Sequence, residues 1–264
     1  AAQALVRRSY ADPLETFSTN IMGTANLMMA AKDIPSIETL VCITSDKCYE
    51  NLEWVWGYRE TDMLGGVDPY SASKAMAENV IYSYFNSYFR DTNTKIGIVR
   101  AGNVIGGGDW AKNRLIPDCI RAWTNRDPVK VRNPSSTRPW QHVLEPISGY
   151  LLLAKKIYVN KKRYSGSWNF GPSFAETMKV KSIVELFFKS LSLKKKIIFK
   201  KGNFKEANLL KLNSSNALNK LKWSNTWNMR NSILKTAKWY DHYIKKLDLK
   251  EITNFQIKEY FKLK

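Results

Sequence analysis

Histidine and cysteine are scarce in this chain of 264 residues, and long apolar runs are missing. Three cysteines, Cys42, Cys48 and Cys119, contain no C-x-x-C and cannot build the disulfide framework of a small secreted domain. They read as small buried hydrophobes in a reducing compartment. His142 and His242 are the only histidines, neither has a second ligand at metal-binding spacing, and His142 reads as a positioned structural residue with no metal role. No apolar stretch approaches the roughly 18 residues of a membrane span, and no signal peptide is recognisable, so the expected location is the cytoplasm. What remains is 44% hydrophobic and 25% charged, the composition of a globular protein large enough to bury a core.

Acidic residues are sparse in one half only. Residues 1–150 hold 16 basic and 16 acidic side chains, whereas residues 151–264 hold 26 basic and 7 acidic, which accounts for the whole net charge of +19. Nearly all the basic residues of the second segment are lysines scattered through apolar periodic stretches. A nucleic-acid groove would show an arginine-rich stripe with interleaved aromatics, so the pattern points to a solvated lysine surface and argues against nucleic acid as a partner. Steering of an anionic ligand is the alternative use of the same charge.

The opening AAQALVRRSYADP lacks the turn-and-strand lead-in of a domain start, so a preceding segment is expected. Residues 14–32 read as a buried helix, ETLVCITSD as a buried strand, and the stretch beginning PYSASKAMAENV as an amphipathic helix started by Pro69. KIGIVRAGNVIGGG reads as the next strand with a glycine-rich exit. This alternation predicts an α/β fold with a parallel sheet covered on both faces. Beyond residue 110 the rhythm becomes irregular. The expected organisation is a first domain over 1–109, a smaller α/β lobe over 110–250 with some return to the first, and a peripheral tail over 251–264.

Two clusters carry candidate chemistry. Tyr70 and Lys74 are spaced by four, on one helical face, where an ammonium can lower the pKa of a phenol enough to make it a proton acceptor. Alone, such a pair is also what an ordinary helix surface offers. Ser45, Asp46 and Lys47 follow a strand, and the carboxyl ends of strands are where open α/β sheets collect ligands. A hydroxyl, a carboxylic acid and an amine there could act as hydrogen-bond donor, general acid and general base, or form a polar turn.

S-D-K at a strand end followed by Y-x-x-x-K resembles the extended short-chain dehydrogenase/reductase family. AAQALVRRSY, TSDKCYEN, PYSASKAMAE, RAGNVIGGGDWAKNRLIPD and STRPWQHVLEP together resemble its sugar-nucleotide 4,6-dehydratases, from Ala1 to about Tyr240. Relatives of the dTDP-glucose type carry Glu where Lys47 stands, which favours the branch acting on CDP-glucose. The family's G-x-x-G-x-x-G loop, which cradles the cofactor pyrophosphate, does not occur here. The glycines at 106–108 have the wrong spacing for it, so the resemblance implies that about the first third of the family's length precedes Ala1. KEANLLKLNSSNALNKLKW resembles the family's closing segment, with Lys205 and Asn213 where His and Asp are expected.

The resemblance implies a Rossmann-like doubly wound sheet, N-terminally incomplete, that binds NAD, with a sugar-nucleotide-binding lobe. It implies a catalytic set of Ser45, Asp46, Lys47, Tyr70 and Lys74, with Ala1, Ala2, Tyr70 and Lys74 on the cofactor and Asn103, Arg114, Leu115 and Arg138 on the substrate. Arg138 is the candidate diphosphate clamp, since a guanidinium engages two phosphate oxygens in a fork. The implied role lies in deoxysugar and surface-polysaccharide (O-antigen) biosynthesis. A homo-oligomer is expected, with helices containing Asn20 to Met29 and Ala75 to Tyr88 at a dimer interface. A noncatalytic chain that keeps only sugar-nucleotide binding, and a related epimerase or dehydratase, are the alternatives.

Overall fold

The computed structural model of the chain describes residues 2–172, 177–193, 196–200 and 209–262. It begins with helices α1 (Val6–Ala11), α2 (Pro13–Phe17) and α3 (Gly23–Lys32), the last two joined by a π-helical turn at Ser18–Met22. Strand β1 (Thr39–Ile43), a 3-10 turn (Asp46–Cys48), helix α4 (Pro69–Tyr84) with a π turn at Phe85–Phe89, and strands β2 (Lys95–Ala101) and β3 (Asn103–Ile105) follow. Next come α5 (Leu115–Thr124), β4 (Val129–Arg132), β5 (Thr137–Arg138), β6 (Trp140–His142), α6 (Leu144–Val159), α7 (Lys161–Tyr164) and β7 (Gly166–Phe170). The chain continues through β8 (Met178–Lys179), α8 (Val180–Ser190), β9 (Ile197–Lys200), a π turn at Ala217–Leu221, α9 (Met229–Ile244) and α10 (Leu249–Lys262).

These elements form two compact units. The first takes Ala1–Gly102, Ser148–Phe170 and Leu210–Trp223; the second takes Asn103–Ile147, Gly171–Leu209 and Ser224–Lys264. In the first unit β1, β2 and β7 pair in parallel in the order β1-β2-β7, with Ile43 opposite Val99 and Val99 opposite Trp168. Side chains alternate across the central strand. Ile96 and Ile98 face Met28, Ala31, Ile81 and Phe89 from α3 and α4 and the turn after it. Val99 faces Leu153 and Ile157 of α6 together with Trp168, Phe170, Leu221 and Trp223. The unit is a parallel sheet with helices on both faces, the doubly wound α/β fold expected.

Among the described residues the second unit has three two-stranded pairings, β3 with β6 and β4 with β9 in parallel and β5 with β8 antiparallel. Its core joins Ile116 and Ile120 of α5, Val129 and Val131 of β4, Ile183 and Phe187 of α8, Ile233 and Tyr240 of α9, and Ile252 of α10.

The sequence reading placed a boundary at 109/110. The opening stretch of the first unit instead ends at Gly102, and two later segments return to it because the second face of β2 needs Trp168, Phe170 and Trp223 to cover it. Residues 251–264 were expected as a peripheral tail, yet α10 buries Ile252, Gln256 and Tyr260 and belongs to the second unit. Residues 14–32 are helical, but Leu14, Met22, Leu27 and Met29 are exposed, because their mixed spacings distribute the apolar side chains around the axis. KIGIVRAGNVI is two strands in different units. Ala1 and Lys205 lie outside the described residues.

Helix α6 approaches β7 closely through Gly149, where an added Cβ would sit 2.4 Å from two ring carbons of Phe170. Gly149→Ala therefore overpacks the first unit and is expected to lower stability by about 1–3 kcal/mol. Chemical denaturation checks this, and a midpoint equal to that of the parent would refute the close packing.

Candidate active site

Helix α4 starts where its local chemistry dictates. The Asp68 side chain caps it by accepting from the Ser71 backbone N–H at 3.0 Å, and Pro69 occupies the first turn. The Tyr70 N–H donates to Ser9 Oγ of α1 at 3.1 Å, which ties the head of α4 down. Tyr70 and Lys74 then fall one helical turn apart, both buried, at 7% and 6% exposure.

The second cluster grows from the end of β1. The Thr44 N–H donates to the Val99 carbonyl at 2.9 Å, continuing the ladder one residue past the strand. Ser45 is extended and caps the 3-10 turn Asp46–Cys48. Its Oγ accepts from the Lys47 N–H at 3.2 Å and donates to Asp46 Oδ1 at 3.0 Å. Asp46 is buried, while the Lys47 side chain is 31% exposed with Nζ 4.0 Å from Asp46 Oδ1. This acid–amine pair sits at the carboxyl end of a parallel strand, as expected.

Within the first unit the turn and α4 pack together, and Cys48 and Ala75 share one apolar cluster. Burial lowers the Lys74 pKa from its ordinary value, with Cys48 and Glu78 acting in the opposite direction. The structure thus brings Tyr70 and Lys74 onto the helix that packs against the Asp46–Cys48 turn.

The sequence reading missed the side chains that support this arrangement. Asn20, buried in the π turn at Ser18–Met22, donates to Ser73 Oγ at 2.8 Å and to the Gln3 carbonyl at 3.0 Å, and accepts from the Gln3 N–H at 2.9 Å. Glu78 continues the face of Tyr70 and Lys74 and is gripped by Arg100 of β2, whose Nε lies 2.8 Å from Oε1, while Thr44 Oγ1 donates to the same oxygen at 2.6 Å. The four-residue spacing from Lys74 was a local signal for Glu78. Arg100 had none.

The other assigned residues are placed as follows. Ala2 is exposed ahead of α1. In the second unit Asn103 opens β3 and lies opposite Trp140 of β6, and Arg138 is half-buried in β5, opposite Met178. Arg114 precedes α5, bonded to Asp109 at 3.0 Å, and Leu115 is its first residue, packed on the core. His142 is buried, its Nδ1 accepting from the Leu144 N–H at 3.3 Å and its ring edge-on to Trp227. Burial, with Lys235 second, lowers its pKa to about 3, so it is neutral at physiological pH. Among the described residues no group of three or more His, Cys, Asp or Glu side chains could hold a metal ion, and no helix is long and apolar enough to cross a membrane.

Residues 1–236 match the family described as GDP-mannose 4,6 dehydratase. The chain is 45% identical over 269 residues to the CDP-glucose 4,6-dehydratase of Salmonella typhimurium, across 98% of this chain and 74% of that one. A solved dTDP-glucose 4,6-dehydratase from Streptomyces venezuelae, with NAD and TYD bound, has a TM-score of 0.80 at 19% identity over 94% of this chain and 73% of that one. A UDP-glucose 4-epimerase from Thermotoga maritima, with UDP-glucose, has a TM-score of 0.80 at 18% identity over 92% and 76%. The two structures bear on the fold.

The lowered Lys74 pKa has a direct consequence for stability. Folding weakens the hold on this proton relative to the unfolded chain, so the ammonium opposes folding at every pH below the folded pKa. The penalty fades as pH rises from there towards the ordinary 10.5. Lys74→Met keeps the aliphatic stem and is expected to melt at or above the parent temperature near neutral pH. Calorimetry tests this, and a marked fall in Tm would show that the ammonium stabilises the fold.

Proposed function

Because the chain belongs to the CDP-glucose 4,6-dehydratase family, we propose that it converts CDP-glucose to CDP-4-keto-6-deoxyglucose with loss of water and no net redox change. The observation that carries this reading is the buried Tyr70–Lys74 pair on α4, packed within one unit against the turn that holds Ser45, Asp46 and Lys47. The product would serve deoxysugar and surface-polysaccharide synthesis.

The residues present fit NAD. Lys74 makes no ion pair among the described residues, and Glu78, the carboxylate acting on it, is already held by Arg100 and Thr44. The ammonium therefore keeps donors for ribose hydroxyls, and Tyr70, Lys74 and the segment from Ala1 to Ala2 would hold the nicotinamide end. When bound, NAD supplies a reversible acceptor for the hydride that leaves carbon 4 of the sugar and returns at carbon 6.

The side chains handle the protons. Tyr70, its phenolate favoured by Lys74 and its hydroxyl steadied by Ser45, takes the proton of the carbon-4 hydroxyl. The resulting ketone acidifies carbon 5, whose proton Lys47 removes and gives back to carbon 5 once carbon 6 has accepted the hydride. Asp46 protonates the hydroxyl leaving carbon 6, which departs as water. Lys47 Nζ lies 4.0 Å from Asp46 Oδ1, so one turn presents the base and the acid together. Asn103, Arg114, Leu115 and Arg138 are assigned to the nucleotide, with Arg138 as the two-pronged diphosphate ligand.

Mass spectrometry of sugar nucleotides incubated with the protein and NAD tests the reaction. A panel of CDP-, dTDP- and GDP-glucose is expected to show loss of water from the CDP sugar, and Tyr70→Phe is expected to lower turnover by roughly 10²–10⁴-fold. Full activity in Tyr70→Phe would refute the base assignment. Nucleotide binding without conversion or NAD affinity would support a noncatalytic binding chain.

A homodimer completes the reading. Met22, Leu27 and Met29 at one helix and Met76, Tyr82 and Tyr88 at the next are exposed apolar side chains in the region assigned to the interface. Light scattering is expected to give twice the chain mass for the parent and to fall towards the single-chain mass for Leu27→Glu. A monomeric parent would refute the interface.

A further inference from the structure

The geometry points to Glu78 as a positioning residue for the Tyr70–Lys74 pair: its carboxylate, clamped by Arg100 and Thr44, fixes the helix that carries the pair against the strand end that carries Ser45 and Asp46, and balances the charge beside Lys74. The inference rests on the proton roles assigned above to Tyr70 and Lys74.

The carboxylate joins three elements. It projects from α4 and receives Thr44 Oγ1 at 2.6 Å from the residue immediately before Ser45. It also receives Arg100 of β2, whose Nε lies 2.8 Å from Oε1 and 3.1 Å from Oε2 and whose Nη2 bonds Oε2. Arg100 has no spare donors: Nη1 bonds Tyr49 Oη at 2.5 Å and the Glu60 carbonyl at 3.1 Å, and Nη2 also reaches Ser167 Oγ at 3.3 Å. Tyr49 in turn donates to Asn169 of β7 at 2.8 Å. Helix α4 is thus locked in rotation and translation to the ends of the strands.

A buried ion pair is a weak way to stabilise a core, since apolar residues of the same volume often do as well or better. What it provides here is a fixed anion one turn beyond Lys74. The titratable groups that act on Lys74 are Glu78 from its own helix and Cys48 from the turn packed against it. Arg100 acts through Glu78. Burial, then Glu78, pushes the Cys48 thiol far above its ordinary range, so it carries no charge at neutral pH. Glu78 is left as the anion on that side, and Arg100 sets how much of its field Lys74 feels.

Two substitutions separate charge from geometry. Glu78→Gln keeps the shape and leaves Arg100 uncompensated, so the ammonium and the phenol should both release their protons more readily. Both limbs of the kcat–pH profile are expected to move down by about 1 pH unit. Thr44→Val keeps the charges and loosens the tie, so kcat is expected to fall roughly tenfold with the limbs in place. The 13Cε NMR titration of Lys74 in cofactor-free protein reads the charge effect without turnover, and Glu78→Gln is expected to titrate lower than the parent. If Glu78→Gln fails to fold, Glu78→Asp carries the test, with an unchanged Lys74 titration and a lowered kcat. A Lys74 titration indifferent to Glu78→Gln, or limbs displaced equally by Thr44→Val, would overturn the inference. Parent protein inactive on CDP-glucose would instead refute the functional reading, leaving the NMR result to stand or fall by itself.

Discussion

The buried face of α4 is largely polar, and that constrains everything around it. Tyr70, Ser73, Lys74 and Glu78 are all removed from water on one side of the helix. A polar group so placed costs free energy unless a partner meets it. Neighbouring elements supply partners: the π turn gives Asn20 to Ser73, while the end of β1 gives Thr44 and β2 gives Arg100 to Glu78; α1 adds Ser9, which takes the backbone N–H of Tyr70. The widened turn at Ser18–Met22 is part of this, because it carries Asn20, which bridges Ser73 and Gln3. Lys74 is the exception: among the described residues it makes no ion pair, and the nearby Glu78 carboxylate is held by Arg100 and Thr44.

The acid–amine turn follows a different logic. Ser45 serves both as the cap of a short turn and as donor to Asp46, so one hydroxyl sets the backbone and orients the carboxylate. The parallel register of β1 against β2, which puts Ile43 opposite Val99, delivers this turn at the strand end. Backbone pairing, rather than side-chain recognition, decides where the site's polar groups emerge.

Much of this was legible in the chain. The alternation of helix and strand gave a parallel sheet covered on both faces, and the spacing of Tyr70 and Lys74 gave a shared helical face, because both signals are local and periodic. The Glu78–Arg100 pair was not legible, since its members lie on different elements and nothing local in the sequence marks one as the partner of the other. The same holds for Tyr49 with Asn169 and for Gln3 with Asn20. Helix α6 went unrecognised between a proline-containing loop and a lysine run, and the exposed face of α3 was mistaken for core because apolar residues at mixed spacings carry no direction. A return of later chain to the first unit was expected, but the stretches that make it were not identified. Which stretch covers the second face of β2 depends on Trp168, Phe170 and Trp223, whose size and burial become meaningful only in three dimensions.

The interleaving of the units governs how the chain can come into being. The first unit takes its last segment from Leu210–Trp223, and Trp223 is fully buried in its core beside Phe170. During synthesis the opening sheet must therefore wait, with an aromatic-sized gap on one face, until translation has passed through most of the intervening second unit. Contacts between residues so distant in sequence are slow to form and leave apolar surface exposed meanwhile. A ribosome-bound chain halted short of Trp223 would hold α4 and the Asp46–Cys48 turn without the wall that closes the sheet behind them.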